Sequence, residues 1–99
     1  MTVKTEKDGH RLKLILEGDL NTLAAPAFER AYDSGKDGAT EIVLDCEKLT
    51  YITSAGLRVI LFIKQEMDDK GGSLTVCNVN KAIMDVFNFS GFVQFLKIE

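Results

Sequence analysis

Ser54, with Arg58 one helical turn on, is the residue of this 99-residue sequence whose type and spacing could do chemistry. Both lie in D-C-E-K-L-T-Y-I-T-S-A-G-L-R-V-I-L-F, from Asp45 to Phe62. That stretch reads as the end of a buried strand, a short polar connection, and then a serine and a glycine at the threshold of an apolar helix. A serine there has its hydroxyl beside unbonded backbone N–H groups and the positive end of the helix dipole, so it either caps the helix or carries an anion. A cap is worth about 0.5–2 kcal/mol. A phosphate would bring about −1.5 to −2 charges, accept bonds from the helix N–H groups, and find Arg58 one turn away as a counter-charge. Folding would survive that charge, whereas a partner surface matched to a neutral hydroxyl would not.

Other chemistry is poorly supplied. Asp19, Asp45 and Glu47 stand in or near strand-end loops, but no base or ligand set accompanies them, so they read as solvated residues or caps. His10, the single histidine, falls at a hairpin turn, which argues against a serine–histidine nucleophile. Gly71-Gly72 lacks the spacing of a phosphate loop and reads as a helix stop. Cys46 and Cys77 each adjoin a strand-like run without a C-x-x-C, so buried, reduced thiols are expected. No catalytic residue, cofactor or metal is expected.

The elements that must position Ser54 follow from patterning. A first edge strand spans Thr2 to Glu6, Lys7-Asp8-Gly9-His10 turns, and Arg11 to Glu17 alternates with Leu12, Leu14 and Leu16 on one side. Gly18 to Thr22 reads as a turn-rich connection into a helix, with Asn21 or Thr22 as its cap, Pro26 in its first turn and Ala24, Ala27, Phe28 and Ala31 at helical spacing. Glu41 to Asp45 is a central strand buried on both faces. A long helix from about Ala55 to Lys70 follows, then a strand over Ser73 to Cys77 and a helix begun at Asn78 to Asn80, with Ala82, Ile83, Val86 and Phe87 as its stripe. Ser90-Gly91 closes that helix, and Phe95 to Ile98 makes a last strand. Strands alternating with helices predict an α/β domain with a largely parallel sheet over residues 1–99.

Composition narrows the partners. Twelve basic and fifteen acidic residues give a net charge of −3, with no basic stripe for nucleic acid or an anionic membrane. The longest apolar run falls far short of the ~20 residues of a membrane span, and with no leader recognised the expectation is a cytoplasmic protein without direct membrane insertion. On the long helix, Gly56, Val59, Ile60, Ile63 and Met67 gather on one side as the core face, with Arg58, Gln65 and Asp69 opposite. Leu61 and Phe62 fall within or beside the polar side. They are either buried at the helix edges or exposed as an apolar contact patch beside Ser54.

These residues carry a resemblance to the STAS domains, specifically the bacterial anti-sigma-factor antagonists. It runs from about Gly9 to Ile98, through G-D-L-N-T at Gly18, I-V-L-D at Ile42, L-T-Y-I-T-S-A-G-L-R-V-I-L at Leu49, G-G-S-L-T-V-C at Gly71 and V-F-N-F-S-G-F at Val86. The third piece is the specific one. The resemblance implies a single layer of four to five mixed strands with helices packed mainly on one face. It also implies a phospho-switchable binding module that binds an anti-sigma factor, often itself a serine kinase, and frees a sigma factor for transcription.

In that family the serine two positions before Gly-Leu is phosphorylated, which matches Ser54; phosphorylation blocks the complex and a phosphatase restores it. The contact surface then comprises Asn21, Thr22, Thr53, Ser54, Gly56, Arg58, Leu61 and Phe62. The module would be a substrate, not an enzyme. Two departures stand out: family members commonly carry Asp where this chain has Thr53 and Asn21, and Thr53 offers a second hydroxyl. STAS domains also serve as subunits of membrane transport complexes, where the same surface would dock a transporter ATPase without a phosphate. A third expectation is small-ligand or nucleotide binding in the loop region.

Overall fold

Leu12, Leu14 and Leu16, spaced two apart, all face one way, and the sheet is built outward from that row. The computed structural model describes residues 1–99. Strands β1 (Thr2–Asp8), β2 (Arg11–Leu20), β3 (Glu41–Ile52), β4 (Ser73–Cys77) and β5 (Lys97–Ile98) form one sheet in that spatial order. β1 pairs antiparallel with β2, and every later pairing is parallel. Between them run α1 (Ala25–Gly35), α2 (Ser54–Lys70) and α3 (Lys81–Ser90), and a single 3-10 turn, Phe92–Gln94, precedes β5.

All three helices feed one core cluster. Phe28 and Tyr32 of α1, Ile60, Ile63 and Met67 of α2, and Ile83 and Phe87 of α3 join Leu12, Leu14, Ile42, Leu44, Leu74 and Val76 of the strands. The helices therefore lie on one face of the sheet, as the resemblance implies. Val43 and Thr75, adjacent across β3 and β4, are buried on the opposite face, so the centre of the sheet is covered on both sides.

Both β2 and β3 run further than the patterning indicates. Gly18 to Leu20 continue β2, and the polar stretch Cys46 to Ile52 is strand, not connection. The β2–β3 register shifts twice, between Ile15 and Glu17 and between Gly18 and Asp19, each time with one extra residue on β3. Each bulge reverses the alternation beyond it. Hence the residues of β3 that join the helix-side core fall at Ile42, Leu44 and Cys46, then Leu49, then Ile52.

The helix ends have local causes. α2 stops at Gly71, whose φ of 73° lets its N–H turn back to the carbonyl of Asp68. In α1 the inward face is Ala25, Phe28 and Tyr32, one position on from the expected alanines, which only flank it. Ala82 of α3 is exposed, while Ile83, Phe87 and, partly, Val86 face in.

Candidate functional site

Leu20 and Ile52 are register partners at the ends of two parallel strands, so the residues that follow them leave the sheet side by side. Asn21 and Thr22 lead into α1, and Thr53 and Ser54 lead into α2. Two helices thus begin at one strand-end edge, the place where parallel sheets present loops and helix N-termini.

Thr53 occupies the cap position of α2 but does not cap with its side chain. Its backbone N–H donates to the Leu20 carbonyl at 3.0 Å and its hydroxyl donates to the same oxygen at 3.3 Å. Ser54 is the first residue of α2, exposed, with no hydrogen bond from its hydroxyl. The reading of Ser54 as a helix cap is therefore corrected. The first helical bond is from the N–H of Leu57 to the Thr53 carbonyl, so the N–H groups of Ser54, Ala55 and Gly56 point out from the helix start without a protein acceptor.

Arg58, one turn on, is exposed and makes no ion pair. Leu61 is half-buried, and Phe62, 38% exposed, sets its ring edge-to-face with Tyr32 of α1 at 6.3 Å between centroids. Phe62 is thus both an exposed apolar residue and a contact between α1 and α2.

Gly56 is buried, so it brings its backbone N–H to this edge and no exposed side chain. A Cβ there would stand 2.6 Å from Leu20 Cγ and 3.0 Å from Ile52 Cγ1. The glycine lets α2 sit directly on the ends of β2 and β3. On the α1 side, Asn21 accepts the N–H of Ala24 through its side-chain oxygen at 2.9 Å, which fixes the turn Asn21–Ala24 ahead of the helix. Thr22 is exposed, and so is Leu23, at 91%, a residue the sequence reading does not single out. Its only sequence signal is an apolar side chain in a turn that has no need of one.

The carboxylates have structural partners. Asp19 accepts the Thr50 hydroxyl at 2.5 Å. Burial raises the Asp45 carboxyl, but the Asn78 amide, the Glu47 N–H and Lys13 together outweigh it and hold it below the usual value. Tyr32 donates to Glu66 at 2.6 Å, and Lys36 at the end of α1 reaches the same carboxylate at 3.3 Å, so two groups of α1 hold one side chain of α2. Glu66 is pulled below its ordinary value, first by the Tyr32 hydroxyl, against some desolvation and then with help from Lys36. Cys46 is fully buried and its thiol is pushed up to about 12 by burial, then by Cys77 and Asp45. No three His, Cys, Asp or Glu side chains gather as a metal would need, and no helix is long and apolar enough to cross a membrane.

Comparison with known proteins bears on the family and the fold. The STAS domain family model matches residues 2–99. BtrV of Bordetella bronchiseptica, provisionally named an anti-sigma factor antagonist, is 31% identical over 99 residues, covering 99% of this chain and 85% of that protein. The anti-sigma F factor antagonist of Paenibacillus polymyxa is 29% identical over 102 residues, covering 99% of this chain and 87% of its own. Among solved structures, the anti-sigma factor antagonist SpoIIAA shares the fold in its unphosphorylated form, with a TM-score of 0.80 at 18% identity over 99% of this chain and 87% of that one. Its phosphorylated form, from Bacillus, superposes with a TM-score of 0.78 at 20% identity over 99% and 91% of the two chains.

Proposed function

Because this chain belongs to the STAS domain family, we propose that it is an anti-sigma factor antagonist, a binding module that engages an anti-sigma factor and thereby frees a sigma factor. Phosphorylation of Ser54 by that partner, acting as a serine kinase, switches the binding off, and a phosphatase restores it. The observation that carries this reading is the placement of Ser54: exposed, unbonded, at the first position of a 17-residue helix, with the unpaired Arg58 one turn away. The exposed apolar side chains of Leu23, in the turn before α1, and Phe62, on α2 where it packs against α1, suit a protein partner.

The switch is electrostatic. The Ser54 hydroxyl makes no hydrogen bond, so a phosphate on it breaks none, and the free N–H groups at the start of α2 donate to its oxygens. The partner, which packed against a small neutral hydroxyl, then meets about two negative charges and the bulk of the phosphate. Thr53, half-buried and hydrogen-bonded to Leu20, is the poorer acceptor.

The test is a binding titration against the anti-sigma kinase of the same cell. Ser54→Asp should weaken the complex at least tenfold with little change in melting temperature, while Ser54→Ala retains it. Equal binding by Ser54→Asp and wild type would sink the switch. A transporter component recovered in place of a kinase would sink the whole reading.

A further inference from the structure

β3 outruns its neighbour. Its parallel pairing with β4 stops where Asp45 meets Cys77, yet β3 continues to Ile52 with β2 on one side only. Two asparagines from the C-N-V-N turn after β4 occupy the vacated side. Asn78 donates its amide to Asp45 Oδ1 at 3.0 Å, and Asn80 donates to the Leu49 carbonyl at 2.9 Å.

Asp45 itself is only 8% exposed. It also accepts the N–H of Glu47 at 3.1 Å, within the first bulge, and pairs with Lys13 at 3.6 Å. Asn78 is the only non-glycine residue with positive φ, 57°, a conformation asparagine tolerates better than most. Asn80 does double duty: its oxygen accepts the N–H of Ile83 and caps α3.

We propose that Asp45, Asn78 and Asn80 form a polar clamp that stands in for the missing strand and positions the Thr53–Ser54 edge. Strand backbone without a neighbour leaves donors and acceptors to be satisfied elsewhere, and a bulge without an anchor can migrate along the strand. A one-residue slip would turn Leu49 and Ile52 away from the core and carry Thr53 off the Leu20 carbonyl. The clamp prevents that slip from the side opposite β2. The three are positioning residues for the surface assigned to partner binding above, and the proposal rests on that reading for its consequence; its test needs no partner.

The test is amide hydrogen exchange with 1H–15N spectra on the full chain carrying Asn78→Gly and Asn80→Asp together. Glycine adopts the positive φ freely, so the first change removes only the donor to Asp45. Aspartate caps as well as asparagine, so the second preserves the α3 start while removing the donor to Leu49. Exchange over Lys48 to Ile52 should quicken at least tenfold and the Thr53 and Ser54 signals should move, while Leu14, Leu44 and Ile60 keep wild-type rates.

Wild-type exchange over Lys48 to Ile52 overturns the clamp. So does equal acceleration at Leu14, Leu44 and Ile60, since that would be a general loss of stability. Because no partner enters, a failure here is distinguishable from a failure of the Ser54 switch.

Discussion

One carbonyl oxygen, that of Leu20, receives both the backbone N–H of Thr53 at 3.0 Å and the Thr53 hydroxyl at 3.3 Å. Thr53 is thereby turned into the sheet, and Ser54, the next residue, is turned out. The two adjacent hydroxyls thus differ in access: one is half-buried and bonded, the other exposed and free. Phosphate transferred by a cognate kinase is therefore expected on Ser54 alone. Ser54→Ala should abolish incorporation and Thr53→Val should leave it within about twofold, read by fragment mass; phosphate on Thr53 in the wild type would reverse the assignment.

Gly56 sets how closely α2 approaches the sheet. Alanine is the better helix former by about 1 kcal/mol, but its methyl would meet Leu20 and Ile52, both buried, closer than carbon atoms tolerate. Overpacking costs about 1–3 kcal/mol and should win. Gly56→Ala is expected to lower the denaturation midpoint; an unchanged or raised midpoint would mean that the strand ends yield easily.

The Tyr32–Glu66 pair predicts stability at both ends of the pH scale. Glu66 has a folded value below its ordinary 4.5, so its contribution is complete at neutral pH and is lost as pH falls from there through the folded value. Tyr32 is raised above its ordinary 10.0, by burial first and then by the Glu66 bond, so its contribution is present below pH 10 and lost as pH rises beyond it. Tyr32→Phe should cost about 1–2 kcal/mol at neutral pH, flatten the alkaline loss and weaken the acid one. Chemical denaturation of both proteins between pH 3 and 11 checks this, and parallel curves would count against the pair.

Leu23 and Phe62 separate binding from stability. Leu23 is 91% exposed, so Leu23→Ser should change stability by no more than about 0.5 kcal/mol yet weaken the partner complex severalfold. Phe62→Ala should do both, because its ring also packs on Tyr32; about 0.5–1.5 kcal/mol of aromatic pairing is at stake. Partner affinity unaffected by either substitution would move the contact surface elsewhere.

Thiol labelling checks the two cysteines. Cys77 is half-buried with its thiol raised by burial and Asp45, and Cys46 is sealed and raised further. A native sample near pH 8 should react slowly at Cys77 and at Cys46 only after unfolding. Rapid labelling of Cys46 would mean that β3 opens readily.

Local pattern alone carried most of the elements: the leucine alternation of β2, the apolar face of α2 and its glycine stop, and the run of β4 are short-range signals that each segment expresses by itself. The serine at a helix start beside Arg58 was legible for the same reason, since both lie within one turn. The second half of β3 was not legible. Strand reading depends on a period of two, and two bulges change the spacing of its buried residues to three at Cys46, Leu49 and Ile52.

Tertiary structure alone decided what those bulges mean. Their position depends on β2 across the register and on Asn78 and Asn80 arriving from beyond α2, contacts between residues more than thirty positions apart. The division between Thr53 and Ser54 likewise comes from Leu20, and the half-exposure of Phe62 from Tyr32 on another helix. The sequence by itself determined which residues could carry the chemistry, because that is a property of side chains and local spacing. Which of them face a partner was decided by packing, because exposure is set by neighbours that only the folded chain brings together.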